Sequence, residues 1–168
     1  MRGRRGRGVS ASADALVRSN AQQAYEISGP LDPTRFYPRF GPLPAVIEVR
    51  EQSGEWDTVG RTRMLMLSDG GHVIETITDT EVPALFAYEL SEFQKLFGTL
   101  VSGARAEWRF EPRQSGSLIR WNYTFCARPA RGWIVWLVVR LWWVRYMRRV
   151  LPQIAREIDH RAASEKSG

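Results

Sequence analysis

The sequence predicts an α+β fold: a curved, seven-stranded antiparallel sheet closed by one long C-terminal helix, with two short helices between the first and second strands. Three observations carry this. Residues 133–158 read as one long, tryptophan-heavy helix. Nearly everything from residue 45 up to it reads as strand. The strand region is centred on a hairpin from Val59 to Glu75 that turns at Ser68-Asp69-Gly70-Gly71. A curved sheet closed by a single helix encloses a cavity, and cavities take apolar molecules.

Residues 9–17 predict a first strand, built of small and polar residues. A short helix over 21–27 follows Ser19-Asn20 as N-cap and stops at Gly29-Pro30. Asp32 caps a second turn through Thr34 and Phe36, with Pro33 suited to the first helical position. Pro38, Pro42 and Pro44 then forbid regular structure, so Tyr37 and Phe40 sit on a semi-rigid loop. Further strands are predicted over 45–52, 55–68, 71–80, 84–90, 103–111 and 117–128, separated by Ser53-Gly54, Asp69-Gly70-Gly71 and the turn at 112–116. Strand 103–111 alternates cleanly: Ala104, Ala106, Trp108 and Phe110 share one face, Arg105, Glu107, Arg109 and Glu111 the other. In 117–128, Ile119, Trp121, Tyr123 and Phe125 oppose Arg120, Asn122 and Thr124. Each sheet face is therefore either buried or wet.

In the closing helix Leu137, Leu141, Val144, Leu151, Ile154 and Ile158 recur at three- and four-residue steps, a stripe that faces the core and puts Leu137 and Leu141 at the cavity. Trp133, Trp136, Trp142 and Trp143 spread beyond that stripe. Arg140 interrupts the apolar run, which is too short for a membrane span of roughly 20 residues. Arginines at 145, 148, 149 and 156 follow. Two readings stand: Trp133, Trp136, Arg140 and Trp143 form an amphipathic surface for a bilayer or an apolar partner, or the sheet wraps the helix and buries the extra rings.

Composition fits one soluble globular domain: 168 residues, 43% hydrophobic and 25% charged. The expected division is a disordered basic tail at 1–8, a single ligand-binding domain at 9–162 and a flexible C-terminus at 163–168. Arg2, Arg4, Arg5 and Arg7 supply four of the six net positive charges, leaving no strong basic excess on the folded part. The tail suits nucleic acid or an anionic membrane, or is merely solvated; alone it does not make a nucleic-acid binder. The lone Cys126 excludes an internal disulfide, and 9–20 has no apolar signal core, so the expected location is cytoplasmic, with contact at the inner face of the membrane if the tryptophan surface is used. No metal and no cofactor are expected: His72 and His160 lack ligand spacing, and there is no glycine-rich phosphate loop. Oligomeric state leaves no signal.

Val59-Gly60-x-x-Arg63, Ser68-Asp69-Gly70-Gly71, Glu75, Phe86-Ala87-Tyr88, Trp108-x-Phe110 and Trp121-x-Tyr123 together resemble the polyketide cyclase/dehydrase branch of the SRPBCC superfamily. Its helix-grip fold is shared with START lipid-transfer domains and birch-pollen-allergen proteins. The resemblance spans residues 9–158 and implies seven strands gripping one long helix. It implies little about activity, since the superfamily holds cyclases, lipid carriers and hormone receptors.

With a three-residue loop at 68–70, Arg63 and Glu75 fall opposite each other, on a face with Val59, Leu65, Leu67, Val73 and Ile77. They then point into the cavity, with Arg61 as neighbour; a register one residue off would expose both. A buried pair orients a polar ligand group, moves a proton through Glu75, or only fixes the hairpin register. Tyr88, Trp108, Trp121 and Tyr123 form the expected aromatic wall, meeting a ligand or filling space. Three functions follow. The first is a carrier of a lipid, isoprenoid or polyketide-like molecule. The second is an acid–base cyclase or dehydratase using Arg63, Glu75 and Tyr88. The third is a membrane- or partner-binding protein using the tryptophan helix.

Overall fold

The computed structural model describes residues 8–165; the arginines at 2, 4, 5 and 7 and the last three residues lie outside that range. Seven strands form one antiparallel sheet: β1 (Gly8–Val17), β2 (Val46–Arg50), β3 (Thr62–Leu67), β4 (His72–Glu81), β5 (Leu85–Ser91), β6 (Val101–Arg113) and β7 (Gly116–Ala127). Their spatial order is β1-β7-β6-β5-β4-β3-β2. Helices α1 (Ala21–Ser28) and α2 (Pro33–Phe36) join β1 to β2, and a short α3 (Lys95–Leu100) joins β5 to β6. The closing helix comprises α4 (Gly132–Val138), a π-helical turn (Val139–Trp143) and α5 (Val144–Glu165).

Local chemistry sets most of these boundaries. The Asn20 side chain accepts from the Gln23 N–H, and the Asp32 carboxylate from the Thr34 N–H, each satisfying a donor that the helix start leaves free. At the β3–β4 turn Leu67 N–H donates to the Gly71 carbonyl, and Gly70 takes φ +81°, a left-handed conformation natural to glycine. The three-residue loop therefore holds the register Arg63↔Glu75.

Two predicted elements differ. Residues 55–60 are not strand: Asp57 and Thr58 lie in a turn, Gly60 takes φ +87°, Val59 is 52% exposed, and only Trp56 turns inward. The closing helix runs on to Glu165, past the predicted end at 158. Helix α3, absent from the sequence reading, fills the segment between β5 and β6.

The core lies between the concave face of the sheet and the closing helix. Ala104, Ala106, Trp108 and Phe110 of β6 and Ile119, Trp121, Tyr123 and Phe125 of β7 are buried, as their alternation required. On the outer face Arg105 pairs with Asp79 and Arg120 with Asp14 and Glu111. From α5, Tyr146, Met147, Val150, Leu151, Ile154 and Ile158 face the sheet. The Asp159 carboxylate accepts from the Arg18 and Ser19 N–H groups, at 2.9 and 3.0 Å, and clips α5 to the β1–α1 turn.

Candidate ligand cavity

A cavity of about 120 Å³ lies between sheet and helix. Leu65, Val73, Leu90 and Phe125 form its sheet side, Val135, Val138, Val139 and Trp143 its helix side, and Phe97 and Leu100 of α3 one end. Tyr37, Leu43 and Pro44 of the proline-rich loop complete the wall. An engineered apolar cavity of about 150 Å³ takes one benzene molecule. This one therefore holds about one ring or a short alkyl segment, and a larger ligand has to displace the loop or an aromatic side chain.

One ion pair stands in this apolar wall. Arg63 Nε donates to Glu75 Oε2 at 2.6 Å, with the two residues only 8% and 4% exposed. Glu75 faces the cavity, while Arg63 faces a smaller pocket of about 40 Å³ that it shares with Trp56, Phe86, Tyr88 and Trp108. The guanidinium carbon lies 4.1 Å from the centre of the Trp56 ring, a cation–π contact that replaces part of its lost hydration. The pair thus bridges two pockets, and Tyr37 and Tyr88 line both.

Three phenols surround Glu75. Burial pushes the pKa values of Tyr37, Tyr88 and Tyr123 well above the ordinary phenol range, and the Glu75 charge raises each further. They stay protonated and able to donate. Tyr146, also raised by burial, donates to the Pro38 carbonyl at 3.0 Å and so ties the proline-rich loop to α5. Trp108 stacks on Trp121 with ring centres 4.9 Å apart. Trp143 packs against Trp121, Tyr123, Phe125 and Tyr146. The buried indole N–H groups of Trp121 and Trp143 have no hydrogen-bond partner among the described residues.

Of the residues singled out in the sequence, the fold gathers Arg63, Glu75, Tyr88, Trp121 and Tyr123 around these pockets, with Trp108 one layer behind in the smaller one. Four assignments are corrected. Arg61 precedes β3 and donates to the Ser53 carbonyl in the outer turn, away from the cavity. Leu137 and Leu141 are 38% and 44% exposed, because the π-helical turn inserts one residue and shifts the helical phase by about 100°. The inward stripe that continues back from Met147 is then Trp143, Val139 and Val135. Arg145 Nη1 donates to the Leu141 carbonyl at 2.6 Å in this irregular turn. For the same reason Trp143 belongs to the cavity wall, whereas Trp133 and Trp136 are 67% and 50% exposed, with Arg140 beside the Trp136 ring. The sequence reading missed Tyr37, Tyr146 and Trp56. Tyr146 stands three residues after Trp143, a spacing that signals a shared face; Trp56 carried no such signal. Among the described residues there is no cluster of metal-ligating side chains.

A sheet gripping one helix around an apolar cavity is the helix-grip architecture of the SRPBCC superfamily. Residues 13–159 match the family model described as polyketide cyclase/dehydrase and lipid transport, and the chain belongs to that family. No curated protein matches it in sequence. Solved structures share its fold at low identity. A truncated norcoclaurine synthase from Thalictrum flavum superposes with TM-score 0.68 at 10% identity, covering 94% of this chain and 98% of that one. Ara h 8.0201 gives 0.60 at 13%, covering 94% and 99%. The di-domain ARO/CYC StfQ of the steffimycin biosynthetic pathway gives 0.61 at 17%, covering 94% of this chain and 52% of StfQ. At these identities the likeness establishes fold alone.

Proposed function

We propose that this protein binds an apolar small molecule of lipid, isoprenoid or polyketide type between the sheet and the C-terminal helix, as carrier or sequestering protein. The observation that carries this reading is the apolar cavity with a single carboxyl, Glu75, and the Tyr37, Tyr88 and Tyr123 phenols in its wall. Such a site takes a mostly apolar molecule and orients one polar end. Native mass spectrometry of freshly purified protein, followed by denaturing extraction, tests it. A stoichiometric apolar adduct, diminished in Tyr88→Ala and Trp108→Ala, is the expected result. A clean apo mass, with no uptake of added fatty acid or isoprenoid alcohol, would refute it.

A second reading has its own support. Glu75 has one oxygen held by Arg63 and stands among phenols that remain protonated, an arrangement able to move a proton on a bound carbonyl compound. Norcoclaurine synthase, a relative in fold, has been crystallised with dopamine and hydroxybenzaldehyde, one-ring molecules of the size that the cavity accepts. Under this reading Glu75→Gln abolishes turnover and leaves affinity nearly intact. Equal turnover in that variant would end it.

A further inference from the structure

We propose that the outer face of α4 and the π-helical turn docks the protein on an anionic lipid bilayer. Four of the nine exposed large apolar side chains in the described chain lie on this one segment: Trp133, Trp136, Leu137 and Leu141. Counted from Trp133, the other three follow at three, four and eight residues, which puts all four on a single helical face. In water such a face costs free energy; tryptophan, amphipathic and large, belongs at the headgroup boundary of a bilayer.

Charge selects the kind of bilayer. From residue 121 to 156 the sequence carries seven arginines and no carboxylate. Arg128, Arg131, Arg140 and Arg145 are exposed on or beside the apolar face. Long arginine stems lie along an apolar surface while their heads reach phosphate. A shallow groove lined by Trp133, Trp136 and Arg140 is completed by Gly8, Val9 and Ser10 at the start of β1. Arg2, Arg4, Arg5 and Arg7 precede Gly8 in the chain, so this unexplained basic stretch joins the fold at the edge of the same face. A nucleic acid would also meet the arginines, but the two exposed leucines have nothing to stack on there, which favours lipid. Among the described residues no helix is long and apolar enough to cross a membrane, and the docking proposed is interfacial.

The arrangement suits the function proposed above. The helical segment that turns Trp136 and Leu137 outward presents Val135, Val138 and Val139 to the cavity. Docking would place the cavity one helix away from the lipid phase. Docking itself does not depend on that reading; only its purpose, loading an apolar ligand, does.

Co-sedimentation of the full chain with vesicles of phosphatidylcholine, alone or mixed with phosphatidylserine, tests the proposal. The expected result is strong pelleting with the mixed vesicles, weak pelleting with the neutral ones, and a loss of about tenfold or more in partitioning for W133A/W136A. Leu141→Glu, a change at an exposed site, should weaken binding similarly; an unchanged thermal melt shows that neither variant acts through misfolding. Wild-type protein that stays in the supernatant with both vesicle types overturns the proposal. So does binding that ignores both variants and is displaced by single-stranded RNA, which would make the face a polyanion site. Native mass spectrometry without vesicles keeps the two readings apart: W133A/W136A should retain ligand while losing vesicles.

Discussion

Replacing Glu75 by leucine removes one half of the buried pair and leaves the Arg63 guanidinium at 8% exposure with no carboxylate to face. Stranding one partner of a buried pair costs about 3–5 kcal/mol. The Trp56 ring, 4.1 Å from the guanidinium carbon, remains and offsets part of that, so about 3 kcal/mol is expected. For a domain of this size that lowers Tm by about 6–12 °C. Arg63→Met should cost at least as much, since it leaves a carboxylate among the Tyr37, Tyr88 and Tyr123 phenols. The double variant, Arg63→Met with Glu75→Leu, should recover to within about 1 kcal/mol of the wild type, because two apolar side chains fit an apolar wall without a desolvation cost. Urea melts followed by circular dichroism measure all four proteins, with the m-value as the check on two-state behaviour. Single variants within about 0.5 kcal/mol of wild type, or effects that simply add in the double, would refute the coupled buried pair. A double variant that is as stable as wild type yet holds no ligand assigns the pair to binding; one that still holds ligand assigns it to hairpin register.

Three other outcomes follow from the same geometry. Gly41 has φ +56°, and a Cβ there would lie 2.5 Å from Trp142 Cδ1, so Gly41→Ala should cost about 2 kcal/mol or more in a urea melt. Leu137→Lys and Leu141→Lys should each change stability by less than about 0.5 kcal/mol, while Val139→Lys, at a site 2% exposed, should cost more than about 3 kcal/mol; the reverse ranking would deny the phase shift. All five tyrosines have raised pKa values in the fold, Tyr37, Tyr88 and Tyr123 by the most. A raised folded pKa contributes stability that is complete below the unfolded phenol value of about 10 and is lost as pH rises toward the folded one. Alkaline unfolding should therefore begin near pH 10, with tyrosinate absorption rising together with loss of near-ultraviolet circular dichroism. Tyrosinate formed in a still-folded protein would contradict the burial.

Much of the fold was legible because it rests on short-range chemistry. The loop Ser68–Gly70 fixes a two-stranded register by counting, so the Arg63–Glu75 opposition followed from sequence and is realised residue for residue. Asn20 and Asp32 mark their helices by hydrogen bonds within three residues. Alternation exposed the inner faces of β6 and β7 for the same local reason. What stayed hidden depends on longer-range balance. No composition signal marks the extra residue in the π-helical turn; propensity is the same on either side of it, and only packing against the sheet selects Val139 over Leu141. That one residue carried Leu137 and Leu141 outward and Trp143 inward, and so redrew both the cavity and the outer face. Trp56 is a similar case. The sequence predicts strand over 55–68, but the turn that Arg61 N–H closes on the Thr58 carbonyl, the positive φ of Gly60 and the Arg63 guanidinium against its ring hold Trp56 in a loop. Arg61 was misplaced because the strand predicted over 55–68 begins only at Thr62, so the alternation that puts Arg61 on the face of Arg63 does not reach it.

Methyl NMR reads out whether an apolar molecule enters the space between the sheet and the C-terminal helix. Leu65, Val73, Leu90, Val135 and Val139 line the cavity, whereas Leu16, Leu96, Leu137 and Leu141 point outward. Titration with p-cresol, one apolar ring carrying one hydroxyl, should shift the first set saturably and leave the second in place, with the response weakened in Tyr88→Ala. Shifts confined to the outward methyls, or no saturable shift in the cavity set, would rule out ligand binding at this cavity.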